Sequence, residues 1–256
     1  MVDDVNNDVL SPSELMRYTR HLSLPRFGHE GQLRIKRASA LVVGLGGLGS
    51  VSALSLTLAG IGTLGLIEDD QVSLDNLHRQ TLYTTGDVGS SKLAKAAQKL
   101  KAHNPEVGFK LFPQRLDTDN VQAIVREFDL VVDGTDNMKT RQIINQTCVV
   151  QEKPYVFGAV NLYDGQVSVF HAAQGPCLAC LFPQPLQEEE EKQAEELAVL
   201  NTLPAVVGAL QSAEVFKLIV GMGKPLIGKL LIYNALSAAF ERVNIEKHPN
   251  CPVCGR

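Results

Sequence analysis

Positive charge is in short supply in this chain: 24 Lys and Arg stand against 28 Asp and Glu, for a net charge of −4. No basic stripe interleaved with aromatics is present, and aromatics are only 5% of the residues, so nucleic acid is not an expected partner. The opening stretch MVDDVNNDVL is acidic and lacks the basic and apolar regions of a secretory signal, which leads to the expectation of a cytoplasmic protein. Five cysteines among 256 residues are too few for a disulfide scaffold. No internal repeat and no linker stands out. The remaining composition, 45% hydrophobic and 20% charged, suits a soluble globular protein with a sizeable core.

Charge is also missing from a long internal run. LVVGLGGLGSVSALSLTLAGIGTLGLIEDD, Leu41 to Asp70, has none before its last three residues and carries seven glycines. Its length alone is that of a membrane span. Its pattern is different: a short β-branched run, clustered glycines, a helical stretch closed by glycine, then a second short run. The expectation is strand, turn, helix, turn, strand, and no membrane. Gly44, Gly46, Gly47 and Gly49 then fall where the first strand turns into the helix, where backbone N–H groups and the helix dipole hold phosphate. Glu68, about 20 residues on at the end of the second strand, can accept from ribose hydroxyls. This pattern fits a nicotinamide dinucleotide and ATP equally well, and a packing turn without ligand can look the same.

The next segment, DDQVSLDNLHRQTLYTTGDVGSSKLAKAAQKLKAHNP, supplies Asp70, Asn76, Arg79, Gln80 and Lys92. A dinucleotide is held largely by backbone amides, whereas a triphosphate under attack needs cations on its departing oxygens. Arg can grip two such oxygens and Lys offers a mobile point charge. Lys95, Lys99 and Lys101 read as a solvated helix face. FDLVVDGTDNMKTRQIIN is an apolar strand, Asp129 to Val132, followed by DGTDN and a helix. Asp133 and Asp136 therefore lie at the carboxyl edge of a sheet, where a carboxylate can hold Mg²⁺ against phosphate, or where Asp136 or Asn137 simply caps the helix.

Four of the cysteines form two Cys-x-x-Cys pairs, Cys177 with Cys180 and Cys251 with Cys254, a spacing that fits tetrahedral zinc. A closed four-thiolate site leaves no open position, so such an ion would staple the C-terminal segment rather than catalyse. Cys148, among apolar residues, reads as a packing residue.

SPSELMRYTRHLSL opens a helix with a capping box of Ser11 and Glu14. KPYVFGAVNLYDGQVSVF reads as two strands about an Asp-Gly turn, residues 204–220 as a long apolar helix of the core or of a dimer interface, and GKLLIYNALSAAFERVNI as the final strands. The expected fold is α/β, Rossmann-like and doubly wound, with a mostly parallel sheet, an antiparallel extension in the C-terminal half and a four-cysteine zinc site. One domain, 1–256, is expected, with a nucleotide-binding half to about 150 and a second half from about 151.

Taken together, RYTRH (17–21), GLGGLG (44–49), SLDNLHRQTL (73–82), GSSKLA (89–94) and DGTDN (133–137) resemble the MoeB/ThiF/HesA family, relatives of the ubiquitin-activating enzymes, over nearly the whole chain. The resemblance implies ATP-dependent adenylation of the C-terminal Gly-Gly carboxylate of a small ubiquitin-like sulfur carrier, as in molybdenum cofactor synthesis or, alternatively, thiamine synthesis. It implies that Asn76, Arg79 and Gln80 contact ATP, that Lys92 holds phosphate, that Asp136 holds Mg²⁺, and that the four paired cysteines hold Zn²⁺. It further implies a homodimer in which Arg20 enters the neighbouring subunit's site. Glu68 stands where the family usually has Asp.

Some relatives carry a further cysteine after the first zinc pair. PQPLQEEEEKQAEELAVLNTLPAVVGAL has none, so adenylation without an enzyme-bound thioester is expected, and the acidic run Glu188–Glu191 is expected to be a solvated loop or a carrier-docking element. The ending at Arg256 leads to the expectation that no sulfur-donating rhodanese domain follows. Two other classes remain for comparison: an NAD-dependent oxidoreductase, which leaves Asn76, Arg79, Lys92 and Asp136 unexplained, and a non-catalytic scaffold, which has no need of them.

Overall fold

The computed structural model describes residues 9–183 and 198–255; the acidic run 188–191 lies outside them. Five parallel strands, β1 (Ser39–Val43), β2 (Thr63–Ile67), β3 (Gly108–Phe112), β4 (Leu130–Asp133) and β5 (Tyr155–Asn161), lie in the order β3-β2-β1-β4-β5. Three antiparallel strands, β6 (Asp164–Phe170), β7 (Lys229–Asn234) and β8 (Ala239–Asn244), continue the same sheet beyond β5. This is the doubly wound order with the expected extension.

Strand alternation sorts side chains into two cores. Ala40, Val42, Leu64, Leu66, Leu130 and Val132 pack on one side, under α3 (Gly28–Arg37), α4 (Gly47–Leu58), α5 (Lys92–His103) and the long helix Leu203–Val220. Leu41, Val43, Ile67, Val131, Tyr155 and Phe157 face the other side, under α6 (Val121–Arg126) and α7 (Met138–Val150). Strands buried on both faces read as continuous apolar runs, which is why SALVV and LVVD show no polar alternation. Leu203–Val220, long and apolar enough to cross a membrane by length and composition, lies instead against α4, β5 and β6 with half of it buried. It is α9; a short α8 (Leu178–Leu181) precedes it.

Several local expectations change. The N-terminal helix breaks into α1 (Pro12–Arg17) and α2 (Thr19–Leu22) at Tyr18, whose buried hydroxyl accepts from Asn104 Nδ2 at 2.8 Å. Its capping box of Ser11 and Glu14 is present as expected. The β5–β6 hairpin turns at Leu162–Tyr163, one step before the Asp-Gly pair: Asn161 pairs with Asp164, and Leu162 takes φ +50°. Gly165 serves packing, because a Cβ there would lie 2.5 Å from Val207 Cγ2 of α9. Lys95 and Lys99 are not merely solvated, since both pair with Asp87, Lys95 at 3.4 Å and Lys99 at 2.5 Å.

Candidate nucleotide site

The carboxyl ends of β1, β2 and β4 open onto a cavity of about 580 Å³, the position where doubly wound sheets take ligands. Gly44, Gly46 and Gly47, Glu68, Asp70, Asn76, Arg79, Gln80, Lys92 and Asp136 all line it. Gly49 sits beneath the turn: a Cβ there would be 1.8 Å from Gly44 O, so the helix can approach the strand only without one. Gly44 has φ +83°, a left-handed conformation that glycine adopts without strain. Gly46 is different. Its nearest neighbour would be Gln80 Nε2 at 3.6 Å, so protein atoms leave room for a side chain there and the bare position keeps the cavity open. The first turn of α4 has no side-chain cap, which leaves its N–H groups available to an anion.

Lys92, the first residue of α5, is buried, with Nζ 3.1 Å from Asp70 Oδ2 and 3.5 Å from Asn76 Oδ1. Asn76 Oδ1 also accepts from Gln80 Nε2 at 2.7 Å. Gln80 is buried, and its Oε1 has no partner among the described residues. An acceptor orphaned in this way suits a donor on an incoming ligand. Arg79 donates to Asp75 O at 3.3 Å and extends along the same wall.

The two carboxylates after β4 divide their work. Asp133 is fully buried and committed to the protein. Its Oδ1 accepts from Thr135 N and Oγ1 at 2.8 and 2.6 Å, and its Oδ2 accepts from Tyr155 Oη at 2.5 Å and faces Arg141 Nε at 3.3 Å. Asp133 is therefore a structural group and not a metal ligand. The cap of α7 is Asn137, whose side chain accepts from Thr140 N at 2.9 Å. Asp136 is exposed, is relieved of capping and lines the cavity; its Oδ1 lies 3.5 Å from Asn137 Nδ2, which leaves the carboxylate accessible to a cation.

Lys139, Arg141 and Arg115 also line the cavity and were not anticipated. Arg141 bonds Thr135 O at 2.7 Å and stacks its guanidinium over Phe157 at 5.3 Å, while Arg115 faces Asp69 at 3.5 Å. One signal for Lys139 was in the sequence: a cation in the first turn of a helix opposes the helix dipole and needs another reason to be there. Arg20 does not line this cavity; it is exposed on α2 and makes no hydrogen bond or ion pair among the described residues.

The four paired cysteines converge. All four Sγ atoms lie within 4.8 Å of one another, with Cys177 to Cys251 at 3.7 Å and Cys180 to Cys254 at 3.5 Å. Zinc–sulfur bonds of about 2.3 Å give tetrahedral edges of about 3.8 Å, so the set fits Zn²⁺. None of the four lines the nucleotide cavity. Cys148 is buried, and burial pushes its thiol up to about 12, consistent with a packing role.

Residues 18–253 match the ThiF family. A sulfur carrier protein adenylyltransferase of Thermus thermophilus is 48% identical over 247 residues, covering 94% of this chain and 91% of the relative. An adenylyltransferase and sulfurtransferase MOCS3-1 of Zea mays is 41% identical over 246 residues, and this chain spans only 53% of that relative. Among solved structures, Escherichia coli MccB with ATP superposes with a TM-score of 0.83 at 25% identity, over 93% of this chain and 73% of that one.

Proposed function

The chain belongs to the ThiF family and is by that kinship an adenylyltransferase; we propose that its substrates are ATP and the C-terminal Gly-Gly carboxylate of a small ubiquitin-like sulfur carrier. A carrier carboxylate oxygen attacks the α-phosphorus, the bond to the β-phosphate's bridging oxygen breaks, and pyrophosphate leaves the acyl adenylate behind. The nucleophile is already ionised near neutral pH, so no side chain has to remove a proton. The protein's work is alignment and charge stabilisation.

The observation that carries this reading is the gathering of Arg79, Lys92, the uncapped start of α4 and Asp136 about one cavity. Lys92 and Arg79 would stabilise the departing phosphates, and Gln80 Oε1 would accept from a donor on the substrate. Mg²⁺ bound at Asp136 would screen charge between the phosphates. An oxidoreductase has no use for this set of side chains.

Arg20, which does not line its own cavity, would reach that of a second copy in a homodimer. The half from about residue 151 would dock the carrier. There β8 is exposed along its length, and Leu236, Phe240 and Val243 present apolar surface. Zn²⁺ at Cys177, Cys180, Cys251 and Cys254 would hold the C-terminal segment to α8. A cytoplasmic setting fits this chemistry, and the absence of a loop cysteine fits release of the adenylate without an enzyme thioester. As for the pathway, molybdenum cofactor synthesis is the leading reading and thiamine synthesis the second.

The test is exchange of labelled pyrophosphate into ATP with Mg²⁺ and candidate carriers ending in Gly-Gly. Exchange that depends on the terminal glycine is expected, and the carrier that drives it names the pathway. Tight NADH binding without exchange overturns the reading.

A further inference from the structure

Glu68 stands at the end of β2, where an acidic side chain is expected to face ribose, yet most of its acceptor capacity is already taken. Its Oε2 accepts from Leu45 N at 2.9 Å, and its Oε1 accepts from Asp69 N at 2.9 Å and Asp70 N at 3.0 Å. A carboxylate offers about four lone-pair sites. Three are occupied by backbone N–H groups, and the one left is on Oε2.

Leu45 is the second residue of the glycine turn, and its other polar group is fixed too. Leu45 O accepts from Tyr83 Oη at 3.0 Å and from Ser50 Oγ at 2.9 Å. Burial, and after it the charge of Glu68 itself, keeps the Tyr83 hydroxyl protonated and so a donor. Because a peptide is planar and trans, fixing Leu45 O turns the Gly46 N–H the opposite way, on a residue that lines the cavity. Fixing Leu45 N likewise sets the Gly44 carbonyl. The turn is thus clamped on both sides before any ligand arrives.

We propose that Glu68 is a positioning residue for the phosphate turn, and that it reads the nucleotide's ribose through a single hydroxyl rather than two. The extra methylene of Glu over Asp is used to reach Leu45. This rests on the nucleotide reading above, and its consequences separate from it.

The experiment is calorimetric titration of the full chain with Mg²⁺-ATP, 2′-deoxy-ATP, 3′-deoxy-ATP and inorganic tripolyphosphate, on the unaltered protein, Glu68→Asp and Glu68→Ala. Tripolyphosphate has no ribose, so a residue that touches ribose alone cannot affect it. Glu68→Asp keeps the charge and loses the reach, and is expected to weaken tripolyphosphate about tenfold. In the unaltered protein one deoxy analogue is expected to bind about 10- to 100-fold more weakly than ATP, a difference that Glu68→Ala abolishes, while the other analogue's affinity ratio to ATP does not change on substitution. Should Glu68→Ala not fold, Glu68→Met, of similar length and without a hydroxyl-binding oxygen, takes its place.

Unchanged tripolyphosphate affinity in Glu68→Asp overturns the clamp. Both deoxy ratios changing, or neither, overturns the single-hydroxyl reading. If the unaltered protein binds neither ATP nor tripolyphosphate, the nucleotide site itself is wrong.

Discussion

Lys92 Nζ lies 3.1 Å from Asp70 Oδ2, the lysine side chain 6% exposed and the aspartate 56%. The main chain joins the same two residues, Lys92 N to Asp70 O at 3.0 Å. One exposed carboxylate therefore neutralises an ammonium lodged in the cavity wall. Asp70→Asn is expected to lower the melting temperature of the nucleotide-free chain by about 2–4 °C, roughly 1 kcal/mol given the exposure of the carboxylate. Mg²⁺-ATP should restore most of the loss, since phosphate replaces the missing charge. A deficit that persists with saturating ATP would show that Asp70 acts on the fold alone. Lys92→Ala should instead slow exchange by about 2.7–4 kcal/mol of transition-state energy.

Asp136 and Asn137, adjacent in sequence, should separate cleanly. Asp136→Asn is expected to abolish Mg²⁺-dependent exchange without changing the melting temperature. Asn137→Ala removes the cap of α7 and should cost about 1 kcal/mol of stability. Thermal melts and exchange on both variants check this, and equal effects on both readouts would refute the division of labour.

Arg20 and the proposed homodimer are tested together by mixing subunits. Arg20→Ala and Asp136→Ala homodimers should each be inactive. Unfolding and refolding them together should restore exchange, because in half of each mixed dimer an intact Arg20 meets an intact Asp136 across the two-fold axis. No recovery would place Arg20 outside the reaction.

The N-terminal helices hang on a buried ion pair, Glu14 Oε2 to Lys36 Nζ at 2.7 Å. Burial raises the pKa of Glu14, but Lys36 and the Ser11 N–H outweigh it and bring it below its ordinary 4.5. A carboxylate with a lowered native pKa adds stability that is fully present above pH 4.5 and is lost as the pH falls through the native value. Urea melts from about pH 7 to about pH 3 should show this acid limb, and Glu14→Gln should flatten it. That variant leaves Lys36 without its counter-ion and should cost about 3–5 kcal/mol at neutral pH.

Zinc content follows from the thiol cluster. One equivalent per chain is expected by elemental analysis. Cys254→Ser, or a strong chelator, should remove it, lower the melting temperature and leave ATP affinity unchanged, because none of the four cysteines lines the nucleotide cavity. A parallel loss of ATP binding would contradict a purely structural ion.

Local pattern carried a large part of this in the sequence. Apolar runs of strand length, glycines at the strand–helix turn and two Cys-x-x-Cys pairs each state their geometry within a few residues, so the parallel sheet, the glycine turn and the convergence of the four cysteines could be read directly. The polar loop after β2 also supplied Asn76, Arg79, Gln80 and Lys92, singled out by the family resemblance, which the structure brings to one cavity.

What the sequence left open depended on which neighbour reached a polar atom first. Asp133 and Asp136 look alike in DGTDN. Only the fold puts Tyr155, Thr135 and Arg141 around the first and lets Asn137 free the second. Glu68 looked like a ribose acceptor, and only the packing of β1 beside β2 brings Leu45 N within its reach. The β5–β6 hairpin turns at Leu162–Tyr163 and leaves Gly165 inside β6, where only a bare position fits beneath Val207 of α9. By itself the sequence determined the period, the turn chemistry and the inventory of charged groups, which are properties of short segments. Tertiary structure decided which of those groups are consumed by the protein and which are left to a ligand, because a hydrogen-bonding site satisfied by a distant residue is no longer available to a substrate.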